Sequence, residues 1–110
     1  MAQGTRLLPG VRSTIASASL TGTYAPIGNP LANQAAIVFL QNASATTCDI
    51  SMDGTNDFIQ IPPVSTVPIY ANASANTIGG LLIAKGTQFY AKGTAGAGNI
   101  TVGYMYQNDV

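Results

Sequence analysis

Three aspartates and the one cysteine fall within a single short stretch, Cys48-Asp49-Ile50-Ser51-Met52-Asp53-Gly54-Thr55-Asn56-Asp57. It is the densest grouping of potentially reactive side chains in the sequence. Counted from Asp49, oxygen-bearing side chains occupy the first, third, fifth and ninth places, and Gly54 occupies the sixth. That is the spacing of a calcium-binding loop. Such a loop is closed at the twelfth place by a bidentate glutamate and flanked by helices. Here the twelfth place is Gln60, and the flanking residues alternate as strands do. The stretch therefore predicts a β-hairpin turn with Asp and Asn at its tip, and neither a metal nor a cofactor is expected.

Nucleophilic chemistry has no partner to build on. The sequence contains no histidine, glutamate or tryptophan, so the commonest general acid–base side chain is missing. Cys48 alternates with Ile50 and Met52, which predicts a core face for these three and a solvent face for Asp49, Ser51 and Asp53. A thiol on a core face is a small inert hydrophobe, since reactive thiols need an electropositive, partly exposed setting. Asp49 and Asp53, with nothing to raise a pKa, do not make a paired-carboxylate hydrolase. The expectation is a non-enzymatic protein with no catalytic residues. Tyr70, Tyr90, Tyr104 and Tyr106 offer a sugar-stacking platform as one reading and ordinary packing as the other; the alternation of Tyr104 and Tyr106 favours packing. The Asn-x-Ser/Thr triplets at Asn42, Asn72 and Asn99 matter only in a secreted eukaryotic protein.

Composition narrows the function further. Charged residues make up 7% of the 110 residues, and the net charge is zero, against roughly 25% charged in ordinary soluble domains. Such a surface repels its neighbours weakly and favours association. Four scattered basic residues, Arg6, Arg12, Lys85 and Lys92, cannot neutralise a run of phosphates, which argues against nucleic acid. No apolar run approaches the ~20 residues of a membrane helix, and no signal-peptide pattern is visible at the N-terminus. A lone cysteine excludes an internal disulfide.

The elements that position these residues read as strands. Residues 35–40 form a compact apolar run suited to a buried strand. Further strands are expected over residues 11–20 (weakly), 47–53, 58–61, 67–70, 81–84 and 88–92. Ile100, Val102, Tyr104 and Tyr106 alternate in the clearest one. Residues 21–30 read as a loop, and Pro62-Pro63 as a strand stop. No window carries a helical stripe. The expected fold is all-β: an antiparallel β-sandwich or jelly-roll-like barrel of about seven or eight short strands. Two parts are expected, an N-terminal arm over residues 1–12 and a sandwich over residues 13–110. Leu7 and Leu8 lie in a segment too short and too broken by Pro9-Gly10 to bury them internally. Arg6, Leu7, Leu8 and Arg12 are therefore the candidate residues for contact with a neighbouring subunit.

Four segments occur in order: Phe39-Leu40-Gln41-Asn42, Ser51-Met52-Asp53-Gly54, Lys85-Gly86-Thr87-Gln88-Phe89-Tyr90-Ala91-Lys92-Gly93, and Asn99-Ile100-Thr101-Val102-Gly103-Tyr104-Met105-Tyr106. Together they resemble the small β-sandwich structural proteins of tailed bacteriophages, of the head decoration or cement type. The likeness covers about residues 35–107 and leaves the first 34 residues unmatched. It implies a virion protein, made in the host cytoplasm, that bridges major capsid protein subunits on the head. It also implies self-association, as a trimer at local threefold positions. A tail or head–tail connector component is the alternative within the virion, and a carbohydrate-binding or adhesion module the alternative outside it.

Overall fold

The computed structural model describes residues 5–70 and 83–109, with side chains over residues 8–70 and 83–106. Among the described residues, nine strands run in chain order as β1 (Thr5–Pro9), β2 (Ser13–Ala16), β3 (Ala25–Pro26), β4 (Ala35–Asn42), β5 (Cys48–Ser51), β6 (Ile59–Ile61), β7 (Ser65–Tyr70), β8 (Tyr90–Gly93) and β9 (Asn99–Asp109). One short 3₁₀ turn, Ser17–Ser19, follows β2.

The strands pair as two antiparallel sheets. In the first, β9 is the hub: β4 lies on one side of it with β7 beyond, and β1 and β2 share its other side. In the second, the order is β3-β8-β5-β6. β1 and β2 are two halves of one edge strand, interrupted at residues 10–12 where Gly10 N–H still donates to the Tyr104 carbonyl at 2.8 Å. With those halves joined, eight strands divide between two four-stranded sheets in jelly-roll order, the double Greek key that closes an all-β domain without long exposed edges. The expected sandwich is therefore observed, and its jelly-roll form is resolved.

The core lies between the sheets and follows from period-two alternation. Val38, Leu40, Ile100, Val102 and Tyr104 point inward from the first sheet, and Cys48, Ile50, Ile61 and Ala91 from the second. Leu20, Ile27 and Leu31 close the gap from the connecting loops. Asn42 is the polar residue at the centre of the packing. Fully buried, it ends β4 where the chain crosses to the second sheet. Its Nδ2 donates to the carbonyls of Thr46 (2.8 Å), Ile61 (3.0 Å) and Pro62 (3.1 Å). Its Oδ1 accepts from the backbone N–H and the hydroxyl of Ser44. One side chain thus ties together the backbone of two segments, residues 44–46 and 61–62.

Several sequence expectations are revised. Residues 5–9, expected within an arm, form β1 and pair along the last five residues of β9, from Thr5↔Asp109 to Pro9↔Met105. The proposed loop over residues 21–30 contains β3, paired with β8 through Ala25↔Ala91. Met52 is exposed and Ser51 is fully buried, the reverse of the expected faces. β5 ends at Ser51, whose hydroxyl accepts from Asp53 and Gly54 N–H (3.2 and 2.9 Å) and starts the turn. Of the expected strand over residues 81–84, Ile83 makes a bridge to Ala35; residues 81–82, and Asn72 with its loop, lie outside the described residues.

Candidate interaction surface

Residues 35–40 read as a run buried on both faces, but β4 buries only one. Val38 and Leu40 point inward, while Ile37 and Phe39 point out of the sandwich, and Phe39 keeps 36% of its surface exposed. The pairing register carries this outer face across the first sheet. Tyr70, Ile37, Met105 and Pro9 form one row. Pro68, Phe39 and Gly103 form the next, and Thr66, Gln41, Thr101 and Thr14 the third. No carboxylate lies on these three rows, and among the described side chains the charge beside them is Arg12. Gly103 leaves a gap in the middle row, so a shallow hollow of about 230 Å³ opens there, bounded by Phe39, Gln41, Thr66, Thr101 and Arg12.

The outer face of the second sheet has the opposite character. Gln60, Asp49 and Lys92 form a row across β6, β5 and β8, with Gln60 Nε2 donating to Asp49 at 3.2 Å. Lys92 Nζ lies 3.4 Å from Asp57 and 4.6 Å above the centre of the Tyr24 ring. Tyr24 hydroxyl donates to the same Asp57 carboxylate, and that bond, with the Lys92 charge, holds the Asp57 carboxyl below its ordinary range. The Tyr24 phenol is pushed up by desolvation and by its bond to Asp57. This cluster ties the loop before β3 to the β5–β6 connection.

The acid-rich stretch is a self-contained turn. Asp53 Oδ1 accepts from the backbone N–H of Thr55 and of Asn56, both at 2.8 Å, and from the Ser51 hydroxyl at 2.9 Å. Its Oδ2 accepts from Asn56 Nδ2 at 2.8 Å. These bonds, led by the Asn56 and Thr55 N–H groups, hold its carboxyl well below the usual carboxylate range. Asp49, Asp53 and Asp57 each turn to a different partner. Among the described residues, no three acidic, cysteine or histidine side chains converge as a metal site would require.

The remaining candidates are dispersed. Cys48 is 1% exposed, and burial pushes its thiol up to about 11. Tyr104 is buried, and Tyr106 packs on the core beside it, ring centres 6.3 Å apart. Tyr90 lies on the second sheet and Tyr70 on the outer face of the first. The tyrosines thus do not build a common sugar-stacking platform. Asn42 is buried and unavailable for glycosylation.

Of the four contact residues read from the sequence, Arg12 is brought to the rim of the hollow. Leu8 is half-buried opposite Tyr106, and Arg6 and Leu7 take their places in β1 opposite Asn108 and Gln107. Phe39, Pro68 and Gly103 were not read from the sequence as contact residues, and Tyr70 was read there only with the other tyrosines. Pro68 marks residues 67–70 as an edge or a strand start, and β7 is the edge strand of the first sheet; the step not taken was to place its partner Phe39 near solvent. No helix among the described residues is long and apolar enough to cross a membrane. No family model, curated protein or solved structure matches the chain.

Proposed function

We propose that this chain is a virion structural protein of the phage head, a decoration or cement protein that stabilises the shell by packing its first sheet against neighbouring protein subunits. The observation that carries the reading is the outer face of the first sheet, with Phe39, Ile37, Met105, Pro68 and Tyr70 facing outward and no carboxylate among them. Exposed apolar patches on small proteins mark interaction sites, and the scarcity of charge fits a surface that ends covered. The jelly roll supports it less strongly, because the architecture serves capsid and lectin domains alike. The dispersal of the tyrosines speaks against the lectin-like alternative.

The test is the amount and position of the chain in purified particles. Hundreds of copies distributed over the head are expected. A few copies at one vertex would make it a tail or connector component, and absence from particles would overturn the virion reading.

A further inference from the structure

Two residues on or beside the first sheet cost the isolated chain stability without any return inside it. Val64 sits third in the turn Pro62-Pro63-Val64-Ser65 with a φ of 54°. Glycine or asparagine enters that region easily, whereas a β-branched residue there is strained. Its side chain gains no burial in exchange, because 82% of its surface is exposed. Gly103 is the converse case. It lies in the interior of β9, where glycine weakens a strand and packs nothing. It does not occupy the left-handed region, and a Cβ added to it would meet nothing within 4 Å. Neither its backbone nor its surroundings require a glycine.

The two positions are complementary in shape. Val64 is a small apolar knob one residue before β7, and Gly103 is the floor of the hollow between Phe39 and Thr101. At about 230 Å³ the hollow has room for an isopropyl group and part of the turn that carries it. We propose that Val64 of one copy inserts over Gly103 of a second copy of this chain, so that this knob and hollow form the self-association contact. The occupant is a second copy because one chain displays both halves of the contact. The surroundings agree: Asp49, Asp53 and Asp57 belong to the second sheet and its turn, and among the described side chains the charge beside the hollow is Arg12, so two such hollows meet with little charge to repel them. A four-stranded face spans only roughly 20 Å by 25 Å, from strand spacing and rise. That is below the ~800 Å² per partner of a standard interface, so a weak, concentration-dependent association is expected in solution.

The inference rests on the assembly reading above, but its test uses purified protein and no particles. Sedimentation velocity across a ~100-fold concentration range compares the parent chain with Val64→Gly and Gly103→Val. The parent is expected to shift to larger species as concentration rises. Val64→Gly removes the knob and relieves the strain, so its association should weaken at least ~10-fold while the melting temperature of the dilute protein holds or rises. Gly103→Val fills the hollow with a residue that suits a strand and should give the same loss of association, again without loss of fold. A structural role alone would not raise monomer stability while lowering association. A parent that stays monomeric throughout, or variants that associate like the parent, would overturn the proposal. Association through this contact by a chain absent from particles would instead sink the virion reading alone.

Discussion

Replacing Asn42 with alanine removes a side chain that five backbone and hydroxyl groups use at once. The buried Ser44 N–H loses its partner outright, and the Ile61 carbonyl loses the bond it holds beside the β5–β6 ladder. The Thr46 carbonyl keeps the Ser44 hydroxyl at 2.9 Å, and the Pro62 carbonyl bond is only partly buried. One orphaned buried donor at about 1–3 kcal/mol and two further bonds lost, to the Ile61 and Pro62 carbonyls, at about 1 kcal/mol each give roughly 4 kcal/mol of destabilisation. That is a large part of the ~5–15 kcal/mol that holds a domain of this kind together. For a chain of this length about 4–5 °C accompanies each kcal/mol, so the melting temperature should fall by roughly 15–20 °C.

The assay is thermal denaturation followed by circular dichroism, with two companions. Asn99→Ala, at an exposed position, should stay within ~0.5 kcal/mol of the parent. Asn42→Asp keeps the shape but aims a carboxylate oxygen at the carbonyls of Thr46, Ile61 and Pro62. It should lose at least as much as alanine, because donors are replaced by an acceptor facing acceptors. A loss below ~1 kcal/mol for Asn42→Ala would refute the claim that this residue is the junction between the sheets, since buried orphans cost more than that.

Two further outcomes are expected. Gly10→Ala places a Cβ 2.0 Å from the Tyr104 ring, which is buried and holds a hydrogen bond to Asn33 at 3.2 Å; overpacking of this kind costs about 1–3 kcal/mol. Gly22→Ala, with open space around it, serves as the neutral control, and equal melting temperatures for the two would discard the argument. Asp53 and Asp57 both titrate below their unfolded values. Their contribution is therefore fully present above about pH 4 and lost as pH falls through the folded pKa values. Asp53→Asn combined with Asp57→Asn should flatten the acid side of the stability profile, and an unchanged slope would show that the turn bonds contribute nothing measurable.

Much of the fold was legible because alternation is a local property. Ile100, Val102 and Tyr104 announce an inward face of β9 from spacing alone, and the structure buries all of them. The failures occur where a non-local partner decides. β3 is only two residues long and holds a proline; it is a strand because β8 lies beside it, and nothing in Ala25-Pro26 says so. β1 was hidden for the same reason, since Pro9-Gly10 breaks the local pattern while β9 supplies the ladder. At Ser51 and Met52 the alternation was extended one step too far. A serine whose hydroxyl caps the following turn gains more from two backbone donors than from solvent, so the strand stopped there.

The candidate surface was less legible than the fold, for a physical reason. A run such as Ala35-Ala36-Ile37-Val38-Phe39-Leu40 has the same composition whether a second layer covers one face or both, and only the sheet order decides. Strain is hidden more deeply still, because Val64 is unremarkable in a sequence until its φ is known. A chain selected only to be a stable monomer would carry charge at Phe39, glycine or asparagine at Val64 and a branched residue at Gly103. At all three positions the departure lowers the stability or solubility of the isolated chain, and all three fall on or beside one sheet face. Chance accounts for one such position readily. Three on or beside the same face support the proposal that this face packs against another subunit.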